Sequence, residues 1–291
     1  MPHLLRPSQK SLKRHSSFAK SIAPLPGSGI AYNRSLGLPM TKADQIRQIE
    51  ELSLNATPAL SELVHDGWLL RLTGGATRRV NSVQVLYPGT LPLQEKIAFC
   101  ESIYHAKKLP TIFKLTHAAQ PPELDSALEK AGYAMSHATW VQTCALEKTS
   151  ADYQKILHWD DPGDEWIKAA ACAKSVAPSA LSRHRALVSA IQLPVQYMAI
   201  QEDGVACSCG FAVLQRPWIG LFDINTRIDC RNRGLAQKLV SALLAWGKTN
   251  GASHAYLQVE ENNSPARRLY DKLGFKDNYR YWYRIATGSN G

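Results

Sequence analysis

In RNRGLAQKLVSALLAWG, residues 231–247, Arg231, Arg233, Gly234 and Ala236 stand together just after the extended apolar run WIGLFDINTRI. A strand gives way to a helix there. The first N–H groups of a helix lack internal acceptors and carry the positive end of its dipole. Gly234 and Ala236 keep that first turn free of bulk, so a phosphate-type anion can approach its N–H groups. Arg231 and Arg233 would add charge beside it. The residues of this stretch fit equally an ordinary helix start with solvated arginines. The six cysteines (Cys100, Cys144, Cys172, Cys207, Cys209, Cys230) form no CxxC pair and have no His at metal spacing. They read as packed, reduced thiols, with no metal expected and a cytoplasmic location.

The elements that must hold this turn follow from periodicity. A helix is expected at about 41–53 and a short one near Pro58–Leu63. DGWLLRL and NSVQVLY then alternate as strands around the turn-prone TGGATRR. PLQEKIAFCESIYHAKKL reads as a helix, PTIFKLT as a strand, PPELDSALEKAGY as a helix and ATWVQTCAL as a strand. Residues 147–164 read as a polar linker. Beyond it come two helices, three successive strands, the helix from about Leu235, the strand HAYLQVE, the helix SPARRLYDKLG and a closing strand YRYWYRI. The two halves align at a shift of 142 residues: KIAFCESIYHAKKLP matches KLVSALLAWGKTNGA, and LEKAGY matches YDKLGF. A helix–strand–helix–strand unit is thus expected twice.

Bulk properties narrow the classes. No window approaches 18 uninterrupted apolar residues, which excludes a membrane-spanning helix. The net charge of +10 suggests nucleic acid, but residues 1–39 hold six Lys or Arg and no acid. The rest carries 28 − 24 = +4, so no nucleic-acid footprint is expected outside the tail. Residues 1–39 read as a disordered basic segment, either transit-like or preceding a true start at Met40. The expected domains are 40–147 and 148–291.

The segment beginning 29 residues after Gly234 adds a second motif: Asn263, Ala266, Leu269, Tyr270, Gly274 and Phe275, spaced N-x-x-A-x-x-L-Y-x-x-x-G-F. Together with R-x-x-G-x-A at 231–236 it resembles the GNAT acyltransferase superfamily over about residues 150–287. The block DGWLLRLTGGATRRVNSV resembles a tandem-GNAT subgroup whose first half is degenerate. The resemblance implies an α/β fold of two GNAT-like halves. Each has a mixed, mostly antiparallel sheet flanked by helices. Splayed parallel strands, WIGLFDINTRI and HAYLQVE, would form an acyl-CoA cleft in the C-terminal half.

The same resemblance implies direct acetyl transfer from acetyl-CoA to an amine, in a small molecule or a peptide. The main chain at Thr226 and Ile228 would meet the pantetheine arm and residues 231–237 the pyrophosphate. Asn263 and Ala266 would flank the cleft. Tyr270 would protonate the departing thiolate. Asp223, an acid inside the apolar GLFDIN, is the first choice of base, with Glu260 second and His254 a strand-entry residue. The other reading of Asp223 is a carboxylate paired with Arg227 or Arg280. At the 142-residue shift the first half has Gly89, Pro92 and Leu128 where Arg231, Gly234 and Tyr270 stand, and Pro92 has no N–H to donate. Arg71, Arg78 and Asn81, in a run that includes Arg79 and Ser82, form either a solvated rim or a site for a substrate carboxylate. A non-catalytic acyl-CoA-binding module is the competing class.

Overall fold

Thr41 starts the first helix, α1 (Lys42–Ala56), through a reciprocal cap. Its hydroxyl accepts the Asp44 N–H, and the Asp44 carboxylate takes the Thr41 N–H. The computed structural model describes residues 40–74, 77–147, 151, 154–174 and 178–287, with backbone alone at 178–179. The basic segment 1–39 and its expected disorder lie outside them.

The first half continues as β1 (Glu62–His65), β2 (Trp68–Arg71), β3 (Val83–Gln84), α2 (Leu93–Ala106), β4 (Ile112–Thr116), α3 (Leu124–Lys130) and β5 (Tyr133–Ala145). The second half runs β6 (Ile156–Trp159), α4 (Asp164–Lys174), α5 (Pro178–Ser189), β7 (Val195–Glu202), β8 (Val205–Gln215) and β9 (Trp218–Thr226). It closes with α6 (Leu235–Thr249), β10 (His254–Glu260), α7 (Ser264–Lys272) and β11 (Lys276–Ala286). Two expectations are corrected. The short helix near Pro58–Leu63 is extended chain leading into β1, because the Leu72 N–H bonds the Ser61 carbonyl and the Leu60 N–H bonds the Thr73 hydroxyl. The linker contains an edge strand, β6, paired with β7 from Ile156↔Ile200 to Trp159↔Tyr197. Only one neighbour covers β6, so its alternation is weak in the sequence.

The eleven strands form one sheet in the order β1-β2-β3-β4-β11-β5-β10-β9-β8-β7-β6. Pairing is antiparallel except at β3–β4 and β9–β10. Each parallel pair is bridged by a helix, α2 or α6, as a crossover requires. The elements recur in order. Helices α2 and α6 begin at Leu93 and Leu235, and α3 and α7 end at Lys130 and Lys272, both separations equal to the shift read from the sequence.

The two last strands trade places. β11 lies between β4 and β5, and β5 lies between β11 and β10, so each half is completed by a strand from the other. Three apolar clusters follow. Leu239, Leu243 and Phe275 pack α6 and α7 on one face of the second half. Ile49, Trp166, Tyr197 and Tyr281 lie among α1, α4 and the opposite face. Trp68, Ile97, Phe113 and Leu128 pack α2 and α3 on the first half.

Candidate active site

The strands β9 and β10 pair only from Trp218↔His254 to Leu221↔Leu257. Beyond that point β9 runs on to Thr226 and β10 to Glu260 without a partner between them, so the two strands separate. The divergence coincides with a bulge. Opposite Gly210, β9 carries one residue more than β8, and Asp223 adopts a left-handed φ of 57°. A Cβ at Gly210 would stand 2.5 Å from Ile224 Cδ1, so glycine is needed where the bulge closes on β8.

At the end of β9 the Thr226 hydroxyl lies 3.0 Å from Ser208 Oγ, and the Arg227 N–H bonds the Cys207 carbonyl at 2.9 Å. A 3-10 turn, Ile228–Cys230, leads to the helix, and Ile228 is 73% exposed. Gly234 is the N-cap of α6 with φ 74° and no side-chain cap. That conformation favours glycine, and nothing lies within 4 Å of where its Cβ would be. The first intrahelical bond runs from the Lys238 N–H to the Gly234 carbonyl at 3.0 Å. The N–H groups of Leu235, Ala236 and Gln237 precede it and have no intrahelical acceptor, as an anion site needs. The charge beside this turn is less free than its composition suggests. Arg233 is held by Glu202 at 2.6 Å, and Arg231 Nε bonds the Thr226 carbonyl at 3.3 Å. Behind the turn Cys207 and Cys230 are buried with their sulfurs 2.7 Å apart, and burial pushes the Cys207 thiol up to about 12. All six cysteines are free.

Asn263 caps α7, its side-chain oxygen accepting the Ala266 N–H at 3.3 Å. Tyr270, two turns on, is 7% exposed and packs edge-on against Phe275. Its hydroxyl makes no hydrogen bond among the described residues. Burial pushes its pKa up to about 12, against the lowering effect of the Arg79 guanidinium.

Asp223 takes neither of its expected partners. Arg227 pairs with Asp229 at 2.6 Å and Arg280 with Glu261 at 3.1 Å. Its carboxylate instead meets Lys174 Nζ at 2.6 Å and His184 Nε2 at 2.7 Å. Lys174 and His184 come from α4 and α5 and lie 3.1 Å apart. Burial alone would raise the Asp223 pKa. The His184 hydrogen bond and the Lys174 charge outweigh it and hold the carboxyl below the usual range. No sequence motif marks these two partners, because they lie 39 and 49 residues from Asp223.

The arginine run of the first half separates into different roles. Arg71 is 1% exposed, and its guanidinium is spent on Glu62 at 3.0 Å, on the Arg79 carbonyl at 2.8 Å and on the Thr57 carbonyl. Arg71 is thus buried with three of its five N–H donors engaged inside the first half, in contrast to the exposed Arg78. Asn81 is buried, and its amide ties the Thr73 N–H and the Thr77 carbonyl together. Arg78, Arg79 and the wall of Asn81 line a cavity of about 540 Å³ together with His137, Glu260, Tyr281 and Tyr283. Arg79 is half-buried beside Tyr281. Burial alone would lower its pKa, but Tyr281, Tyr283 and Asp223 together raise it. The cavity adjoins the end of β10, where β9 has already separated. His254 is at the other end of that strand, against Trp218.

A mixed sheet split between two parallel strands, with a glycine-led helix opening beside the split, defines an N-acetyltransferase of the GNAT superfamily, an acyltransferase. More narrowly, the chain belongs to the family described as "Probable histone acetyltransferase Rv0428c C-terminal", whose model matches residues 43–284. The "Uncharacterized N-acetyltransferase YobR" of Bacillus subtilis (strain 168) is 26% identical over 247 residues, covering 83% of this chain and 99% of that protein. A GCN5-related N-acetyltransferase from Kribbella flavida shares the fold with a TM-score of 0.60 at 14% identity, covering 83% of this chain and 95% of its own. A tandem GNAT protein from the clavulanic acid biosynthesis pathway also gives 0.60, at 16% identity over 84% of this chain and 89% of that one. Membership decides for an enzyme over the non-catalytic module that the sequence left open. No helix among the described residues is long and apolar enough to cross a membrane.

Proposed function

We propose that the chain is a tandem GNAT enzyme in which the second half alone takes acetyl-CoA and transfers its acetyl group directly to an amine. The observation that carries this reading is the conjunction on one strand of the β9–β10 separation and the open, glycine-led start of α6. The donor fits these residues. The main chain at Thr226 and Ile228 would meet the pantetheine arm, and the N–H groups from Arg231 to Gln237 the pyrophosphate, with Asn263 and Ala266 on the other wall. When bound, acetyl-CoA supplies a thioester carbonyl. N–C bond formation at that carbon and C–S cleavage convert an ammonium acceptor into an amide, a free thiol and one released proton.

The chain's own groups manage charge in that exchange. A main-chain N–H of β9 at the bulge would stabilise the thioester carbonyl oxygen as it gains charge. Tyr270 stays protonated at neutral pH, with a pKa of about 12, and an ordinary thiol sits near ~8.5. The hydroxyl therefore stabilises the departing sulfur first as a hydrogen-bond donor and delivers its proton late. Asp223, held below the usual carboxylate range, is a weak proton acceptor by itself. We assign it to orienting His184 and Lys174, with proton removal falling to that cluster, since imidazole is the side chain best matched to proton transfer near neutral pH. The reading is tested by calorimetry with acetyl-CoA. One site per chain is expected, with affinity falling at least ~100-fold in Gly234→Asp, which sets a carboxylate at the positive helix end. Equal binding by both proteins would place the donor elsewhere.

A further inference from the structure

From the cavity on the α1 face we infer that the acceptor is an amine that also carries a carboxylate, which Arg79 of the first half binds. The inference rests on the acetyl-transfer reading above and adds the class of acceptor.

The argument starts from how this protein treats cations removed from water. Arg71, Lys96, Lys114 and Arg284 are buried, and each is paired with a carboxylate: Glu62, Asp66, Glu50 and Asp125. That is the expected rule, since an uncompensated charge out of water is costly. Arg79 breaks it. Its half-buried guanidinium lines the cavity beside Tyr281 and Tyr283, feels the Asp223 carboxylate only at longer range, and has no carboxylate within salt-bridge distance among the described residues. Arg78, next to it and exposed, has none either. Both line a cavity that lies beside the separated end of β10. A planar fork of donors left without its anion, in a cavity, is matched by a bidentate carboxylate.

The rest of the lining places the other end of the acceptor. Glu260, the last residue of β10, is the cavity's carboxylate. It is 60% exposed, with the His137 ring 4.0 Å away. It is free to hold an ammonium at the side of the cavity nearest the strand separation. Tyr281 and Tyr283 provide the wall between the two ends. A zwitterionic or amino-carboxylate acceptor satisfies both ends at once. A lysine in a basic peptide leaves Arg78 and Arg79 unpaired and adds like charge.

The test uses matched pairs of acceptors on the full chain: free α-amino acids and ω-amino carboxylates beside their carboxamides, with a lysine-rich basic peptide as a third arm. Thiol release is followed, and acetyl-CoA binding is measured on the same sample. The carboxylate member should have the higher kcat/KM by about 10- to 100-fold, the value of one or two hydrogen bonds to a charged group. Arg79→Gln should raise the KM of the carboxylate member and shrink its advantage over the amide to within about threefold. Arg79→Lys should restore part of it. Equal turnover of both members, preference for the basic peptide, or no turnover of any carboxylate with acetyl-CoA still bound would each overturn the inference and leave the transfer reading standing. Failure to bind acetyl-CoA would overturn both. The wild-type pair comparison decides the matter even if Arg79→Gln does not fold.

Discussion

The starts of α2 and α6 occupy equivalent places in the two halves, and their surroundings are opposite. At α6 the turn is open at a left-handed glycine, Gly234, with no side-chain cap on the helix. At α2 the equivalent space is filled from within. The Asp66 carboxylate, from the turn between β1 and β2, accepts the Thr90 N–H at 2.8 Å and the Leu91 N–H at 3.0 Å, and Lys96 pairs with it at 3.1 Å. A Cβ at Gly89 would lie 2.0 Å from Asp66 Oδ2 and 2.3 Å from the Asp66 carbonyl. Those hydrogen bonds hold the Asp66 carboxyl well below the usual range. At the start of α2 the chain thus supplies its own anion, Asp66, where α6 is left uncapped.

The contrast can be broken at three points. The largest effect belongs to Tyr270, whose counterpart in the first half is Leu128, a core residue. Tyr270→Phe should lower kcat by ~10²–10⁴-fold while acetyl-CoA affinity holds within about threefold, since a general acid acts on the transition state. Unchanged kcat would assign leaving-group stabilisation to another group. Next comes Gly89. In Gly89→Ala the added methyl meets Asp66 and Lys96, so urea denaturation should register a loss of about 2 kcal/mol by overpacking. Calorimetry should still find the wild-type donor affinity, and a weakened donor would mean that the first half takes part in binding it. The smallest effect is on pH dependence. Asp66 and Asp223 have folded-state pKa values below their unfolded ones, so their stabilisation is present above about pH 4 and is lost as pH falls through the folded values. Chemical denaturation should find an acid limb that Asp66→Asn flattens. An unaltered limb would mean that Asp66 is not held as described.

What the sequence made legible was whatever lies close along the chain. The turn after β9, the start of α6 at Leu235 and the bounds of β10 all come from short motifs in which a glycine or an alternation marks the geometry directly. Asp223 was legible as an acid with a partner, but not which partner, because Lys174 and His184 reach it from two other helices. Arg79 was visible only as half of an arginine doublet. Nothing in the doublet separates Arg79, which enters the cavity, from a solvated neighbour, and Arg71, eight residues earlier, is a buried structural group. Asp66 in HDGW reads as an ordinary turn aspartate, and its role depends on a loop more than twenty residues away. Strand order was the least accessible of all, since alternation says which face is buried and not which neighbour covers the edge.

The exchanged strands have a consequence for the history of such a chain. With β11 seated between β4 and β5, and β5 between β11 and β10, deleting the first half would strip the second of the strand paired with β10. It would also leave the last strand with no sheet to join. With strands shared in this way, neither half can be lost in a small step. Each is held in place by the sheet of the other, and change in one is tolerated only where the shared strands still pair.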